Sequence, residues 1–323
     1  MRVLALPGDT DVAAPALSEA LAASGSLGAV VAAIADAAIP IAGRLALSAL
    51  PGDPAATVGT NETGDAQKAL DLAAHDAMIA ALRAAPVARV VSEEAAAPID
   101  LSPGAEWDVV IDPIDGSGSI GTGAPLGLLF GVFPAGPTFL RLGREMVAAG
   151  YVSFGHSVDL GLTLGQGTQL YTLDPRDGTF RLRQGRAEVP ERTRMLAFNA
   201  SNLRHFAPGL RAHLDEALLG RDGPRGEDVN MRWIAAAVGD VHRILLKGGA
   251  FLYPGDARPG YGAGHLRLLY EAFPIALLME QAGAAASDGT GAILDRVPDD
   301  IHQKTPLIFG AAAEVAAITS RLT

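Results

Sequence analysis

The chain of 323 residues is 49% hydrophobic and 19% charged, enough apolar side chain for one large domain or two ordinary ones and too apolar for a disordered polymer. Its net charge of -11 argues against nucleic-acid and anionic-membrane partners, so a bound phosphate ester must meet positive charge gathered locally, on metal ions or a few arginines. It has no cysteine, which excludes disulfides, thiolate catalysis and cysteine-ligated zinc and is compatible with a reducing cytoplasm.

The N-terminal stretch MRVLALPGDTD is too short in apolar residues for a signal-peptide core. The most membrane-like segment, Leu27 to Gly43, carries Asp36 and Pro40 and falls short of a span of about 20 strongly apolar residues. It reads as a buried or interface helix, and the protein is expected to be soluble and cytoplasmic. Residues 13–50 read as helices interrupted near Ser24–Gly28 and at Pro40, followed by the loop PGDPAATVGTNETGD. From 66 to 85 the spacing of Leu70, Ala74, Met78 and Leu82 predicts a helix with one apolar face. Val87–Val91, Val109–Ile111 and Leu126–Phe133 read as strands, and 151–183 as antiparallel strands with turns at Gly165–Gly167 and Asp174–Gly178. A boundary is expected at Pro190. Beyond it the pattern predicts strand 195–198, helices 208–219 and 232–246, strand 250–253, a glycine-rich loop 255–264, helix 268–282 and strand 306–309. Strands and helices interleave without a regular βαβ rhythm, which predicts a layered, mixed α/β fold with two sub-domains.

Chemistry concentrates in VVIDPIDGSGSI, residues 109–120. Pro113 holds Asp112 in extended geometry, and the turn to Asp115 is expected to aim both carboxylates, with the Ile114 carbonyl between them, at one point. Gly116-Ser117-Gly118-Ser119 follows, a run able to present backbone N–H groups to an anion. Acidic ligands followed at once by an anion cradle fit metal ions that bridge protein and phosphate. Oxygen donors without Cys or His suit Mg²⁺ or Mn²⁺ rather than zinc. A solvated Asp pair in an ordinary turn is the bland alternative. A second acidic pair, Glu93 and Glu94 in VVSEE, weakens it, because adjacent carboxylates at buried strand ends need a cation or a shared proton. GDAQKALD adds Asp65 and Asp71 on roughly one side of a helix.

These segments, together with RWIAAAVGDVHRILLKGGAFLYP, HLRLLYEAFPIALLMEQAG and LDRVPDDIHQKTPLIFG, resemble class I fructose-1,6-bisphosphatase in order and spacing from about residue 60 to 310. The DPxDGS signature alone is shared with the wider lithium-sensitive phosphatase superfamily, including inositol monophosphatases. The resemblance implies an αβαβα layered sandwich, with a metal-binding phosphatase domain over 1–189 and a sugar-phosphate-binding domain over 190–323. It further implies that Glu93, Glu94, Asp112, Asp115, Glu271 and the Ile114 carbonyl hold Mg²⁺, and that Asp71 with Glu94 orients and deprotonates the attacking water. Gly116, Ser117 and Gly118, beside Asp115, would cradle the 1-phosphate. Asn199, Asn202, Tyr253, His265 and Arg267 match positions that hold the sugar and 6-phosphate. Arg232 matches an arginine that reaches into a neighbouring subunit, which implies a homodimer or homotetramer. The implied reaction is Mg²⁺-dependent hydrolysis of the 1-phosphate of fructose-1,6-bisphosphate, in gluconeogenesis or a carbon-fixation cycle. An inositol-phosphate phosphatase and a non-catalytic sugar-phosphate-binding paralogue are lesser alternatives, the first disfavoured by Arg267, Arg232 and Tyr253 and the second by the full set of carboxylates.

Several positions depart from the family's pattern. His265 stands where Lys or Arg is usual, so the 6-phosphate would lose a permanent charge unless the phosphate raises the imidazole's pKa. Gly118 removes a hydroxyl from the cradle. Trp233 replaces a common Tyr, and Ala237 replaces a Met that lines the sugar pocket, which keeps sedoheptulose-1,7-bisphosphate in play. Glu106-Trp107 stands where AMP-inhibited members carry Lys-Tyr, so AMP inhibition at that site is expected to be weak or absent. His242, on an amphipathic helix, reads as a hydrogen-bonded structural group.

Overall fold

The β-rich run from Val87 to Gln184 forms one eight-stranded sheet. Its order is Thr179–Gln184, Thr168–Asp174, Val158–Thr163, Ala148–Phe154, Leu126–Pro134, Trp107–Asp115, Val87–Ser92 and Ile99–Asp100. All neighbours are antiparallel except Val87–Ser92 and Trp107–Asp115, which run parallel with Ser92 opposite Ile111. The computed structural model describes residues 4, 6, 7, 9, 14–60 and 66–322. Asp65, read above as a site carboxylate, lies outside them.

A second sheet of five strands follows, ordered Asn230–Met231, Met195–Ala197, Ala250–Tyr253, Leu307–Gly310 and Ala285–Ser287. Its first three strands are mutually parallel, so their carboxyl ends emerge on one side. Helices Gly25–Ala46 and Ala69–Arg83 cover the outer face of the large sheet, burying Val30, Ile34, Met78 and Leu82 with Val90 and Ile111. Helices Ala237–Lys247 and Phe273–Gln281 fill the space between the sheets, where Val241, Phe273 and Leu278 join Leu129, Tyr151, Phe251 and Phe309 in one core. Helices Pro208–Leu218 and Ala312–Leu322 close the far face of the small sheet. The layers are therefore αβαβα, as expected. Close approach is written into Gly127: a Cβ there would fall 2.3 Å from a methyl of Val238.

Local departures from the sequence expectation have identifiable causes. Helix Gly25–Ala46 runs through Pro40 without a break. Pro40 and Asp36 are both exposed, so the carbonyl that loses its partner faces water. Ala66–Lys68 pairs with Thr57–Thr60, and the helix begins only at Ala69. The expected helix from Arg232 begins at Ala237, because Ala235 adopts a positive φ of 71° that ends regular structure before it. Helix 268–282 opens as a π-turn over Leu268–Ala272 before its α-helical part. Pro274 has no N–H for the Tyr270 carbonyl four residues back, and the widened turn accommodates that loss. The C-terminal helix Ala312–Leu322 was not among the expected elements.

Candidate functional site

The strand read from sequence over Val109–Ile111 is longer, running from Trp107 through Pro113 to Asp115. In a regular strand, residues three apart point to opposite faces. Here Asp112 pairs with Leu129 and Asp115 with Gly127, so three steps on one strand meet two on its partner. The bulge returns both carboxylates to the same face. Asp112 Oδ1 accepts the N–H of Ile114 at 3.0 Å, which fixes the turn between them. Asp115 Oδ2 accepts the N–H of Val238 at 2.7 Å, at the positive end of helix Ala237–Lys247.

Glu271 reaches the same point from the π-turn. Carboxylate oxygens of Asp112, Asp115 and Glu271 lie within 4.8 Å of one another, and all three side chains are buried. The parallel strand Val87–Ser92 delivers Glu93 beside them, close enough for its charge to act on Asp112. Burial first, and then the neighbouring carboxylates, push Asp112 and Glu271 well above the usual carboxylate range. Burial likewise raises Glu93, and Asp115 rises to about 6 by burial and the charge of Asp240. A buried cluster of mutually repelling oxygen donors fits a hard divalent cation: positive charge there relieves both the burial cost and the repulsion.

Glu94 turns the other way. Its Oε2 accepts from Gln67 at 2.9 Å, and its charge acts on Asp71 in the first turn of helix Ala69–Arg83. Burial and Glu94 raise Asp71 to about 6, opposed by the Lys68 ammonium. Among the described residues Asp71 Oδ1 has no hydrogen-bond partner. Lys68 donates to the Ser117 carbonyl at 2.5 Å, which ties this strand–helix junction to the glycine-serine run. In that run Gly116 has φ 81°, and a Cβ would meet the Ala236 methyl at 2.6 Å, so only glycine fits the start of the 3₁₀ turn Ser117–Ser119. Gly118 has open space around its missing side chain.

The three parallel strands of the small sheet carry the other expected residues at their carboxyl ends, the usual place for a ligand in such sheets. Arg232 and Trp233 follow Met231, Asn199 and Asn202 follow Ala197, and Tyr253 ends its own strand. Asn199 caps the 3₁₀ turn Ala200–His205 by accepting from the Ser201 N–H, and Asn202 is buried in that turn. Trp233 stacks on Phe251 with ring centres 5.3 Å apart and meets Tyr253 edge-on at 5.9 Å. Tyr253 in turn stacks on His265 at 4.7 Å, and Tyr261 covers the imidazole edge-on. Burial and then the nearby Lys304 hold His265 below its usual range, so its imidazole is neutral near pH 7 in the free protein. Its buried Nε2 has no partner among the described residues. Arg267 precedes the π-turn, its N–H donates to Glu271 Oε2, and its Nη1 donates to the His302 carbonyl at 2.9 Å. Arg232 is exposed at the sheet edge.

Structure also picks out residues to which the sequence assigned no role. His75, one turn after Asp71, pairs through Nδ1 with Ser92 Oγ at 2.9 Å, and the Glu94 N–H lies 3.4 Å from the same hydroxyl. A lone His on an amphipathic helix has no periodicity that would mark it. His242 meets the Tyr151 hydroxyl at 2.7 Å and lies 3.5 Å from Asp159, hydrogen-bonded as expected.

The chain matches family models for the fructose-1-6-bisphosphatase N-terminal domain over 16–185 and C-terminal domain over 189–323. It is 50% identical over 285 residues to the class 1 fructose-1,6-bisphosphatase of Brucella anthropi, covering 88% of this chain and 84% of that one. It is likewise 50% identical over 277 residues to that of Brucella ovis, covering 85% and 82%. The holo form of Leishmania major fructose-1,6-bisphosphatase superposes with a TM-score of 0.90 at 30% identity, covering 96% of this chain and 99% of that one. With that breadth of agreement, the chain belongs to the class 1 fructose-1,6-bisphosphatase family, a family of phosphoric monoester hydrolases.

Proposed function

We propose that the chain hydrolyses the 1-phosphate of fructose-1,6-bisphosphate to give fructose 6-phosphate and phosphate, in a cleft between a metal-binding half over 1–189 and a sugar-phosphate-binding half over 190–323. The observation that carries this assignment of residues is the convergence of Asp112, Asp115 and Glu271 within 4.8 Å, beside Glu93 and next to a glycine-serine turn. In this reading Glu93, Glu94, Asp112, Asp115, Glu271 and the Ile114 carbonyl hold Mg²⁺, with Mn²⁺ as a substitute. The ion, when bound, supplies positive charge to the phosphate oxygens and lowers the pKa of water. Asp71 takes the proton of the attacking water, and Glu94 orients that water beside it. Gly116, Ser117 and Gly118 receive the 1-phosphate on their backbone.

The far phosphate is held by Arg267, Tyr253 and His265, with Asn199 and Asn202 bordering the sugar. Since His265 is neutral in the free protein, it serves this phosphate as a hydrogen-bond donor rather than as a fixed charge. Arg232 completes the pocket of a neighbouring subunit in a homodimer or homotetramer. This is supported by its exposed place directly after the edge strand Asn230–Met231, where Met231 is 44% exposed. Weak AMP inhibition is supported by Glu106, an exposed carboxylate that would repel a nucleotide phosphate, beside Trp107, whose indole donates to Ser26 Oγ at 3.0 Å. A cytoplasmic location belongs to the same reading.

Ala237 favours a second substrate. The reading rests on size: Ala237, buried at the first residue of helix Ala237–Lys247 and next to Ala236, carries only a methyl where a Met would reach further. Phosphate release from fructose-1,6-bisphosphate and sedoheptulose-1,7-bisphosphate should be compared for the wild type and Ala237→Met. Fructose bisphosphate is expected to be preferred, and Ala237→Met is expected to cost the sedoheptulose substrate more than the fructose one. Equal turnover of both sugars by wild type would make the enzyme a dual bisphosphatase. Turnover of neither would overturn the assignment.

A further inference from the structure

The segment DDIHQK crosses from the C-terminal half back to the metal-bearing loop of the N-terminal half. Lys304–Thr305 pairs antiparallel with Leu266–Arg267, and the Leu268 N–H donates to the Gln303 carbonyl at 2.8 Å, so the segment is fixed to the strand that leads into the π-turn. The turn itself is pinned, with Asp300 Oδ1 accepting the His302 N–H at 2.7 Å. From it the half-buried imidazole of His302 extends between two partners. Nε2 lies 3.1 Å from the carbonyl of Ala95, the residue after Glu94, and Nδ1 lies 2.9 Å from the hydroxyl of Tyr270, the residue before Glu271. A carbonyl only accepts, so Nε2 carries the proton and Nδ1 is left to accept from Tyr270. A single tautomer of the ring thus satisfies both contacts.

We infer that His302 is a positioning residue that holds the Glu93–Glu94 loop in register with Glu271 through its two ring nitrogens. The inference rests on the reading of those carboxylates as metal ligands. The two groups it joins come from different halves of the fold: Glu93 and Glu94 follow the strand Val87–Ser92, whereas Glu271 sits on the helix between the sheets. Small displacements between ligands contributed by separate elements are what an outer hydrogen-bond shell prevents. Arg267 is held separately, by the backbone carbonyl of His302, which survives any side-chain replacement. Loss of the ring should therefore disturb the metal site and leave substrate capture largely intact.

The test uses metal-stripped full-length protein with Mn²⁺ binding followed by electron paramagnetic resonance, alongside steady-state kinetics. His302→Ala is expected to weaken Mn²⁺ binding and lower kcat by about 10- to 100-fold, with KM for fructose-1,6-bisphosphate little changed. His302→Gln, whose amide N–H can replace Nε2 toward the Ala95 carbonyl, should recover most of the Mn²⁺ affinity. Tyr270→Phe removes one hydroxyl and keeps the ring packing, so a smaller loss of the same kind is expected, and it carries the test if His302→Ala does not fold. Wild-type Mn²⁺ affinity and kcat in His302→Ala would overturn the inference, as would a Gln variant no better than Ala. Glu271→Gln separates the two levels: if it binds Mn²⁺ as tightly as wild type, the metal-site reading itself falls.

Discussion

Asp71 is the buried acid whose protonation bears most directly on the proposed chemistry. A carboxyl raised to about 6 is deprotonated at neutral pH yet basic enough to accept a proton from water. Asp71→Asn is expected to lower kcat by about 10²- to 10⁴-fold with little change in KM. In wild type, kcat should fall as pH drops through about 6, because the proton that returns to Asp71 removes the base. A pH–rate profile of both forms checks this, and an Asn variant with the same acid limb would assign that limb elsewhere. Carboxylates such as Asp112, Asp115, Glu93 and Glu94 were legible in the sequence because charge at the end of an apolar strand is costly unless something compensates it. Glu271 was legible mainly through resemblance. His75, Ser92 and His302 were not legible, since a single polar residue on an amphipathic segment is indistinguishable from a surface one until its partners are known.

At the scale of elements, apolar periodicity located most strands and helices, whereas the features that aim the carboxylates are local irregularities. The bulge between Asp112 and Asp115 and the π-turn under Glu271 follow from backbone partners on other strands and from the missing N–H of Pro274, neither of which periodicity encodes. Helix–helix packing on the far face depends on a comparable tertiary contact. Glu314 on Ala312–Leu322 accepts from Arg225 and pairs with His213 of Pro208–Leu218 at 2.8 Å. Burial alone would raise its pKa, but these partners outweigh burial and hold it at about 2, below its ordinary 4.5. A depressed pKa contributes stability above the unfolded value and loses it as pH falls through the folded one. Glu314→Gln is therefore expected to cost about 3 kcal/mol at neutral pH. The difference from wild type should shrink between pH 4.5 and about 2, measured by denaturant unfolding. A pH-independent difference would mean that packing rather than charge sets the cost.

For the whole molecule, the two sheets divide the work. The large sheet ends in carboxylates and the small one in arginine, asparagine and aromatic side chains, while helices Ala237–Lys247 and Phe273–Gln281 bind both sheets into one core. The mixed layered fold was legible because strands and helices interleave irregularly along the chain. The parallel neighbours that align the strand ends were not, because strand order depends on pairing across the chain. A buried acidic cluster joined to the proposed sugar-phosphate pocket requires positive charge to be supplied when substrate arrives. The direct measurement is phosphate release from fructose-1,6-bisphosphate by metal-stripped protein, before and after Mg²⁺ is restored. Turnover is predicted to be absent in the stripped protein and to return with Mg²⁺, with fructose 6-phosphate as the sugar product. Equal turnover in the stripped and Mg²⁺-restored protein would contradict the account.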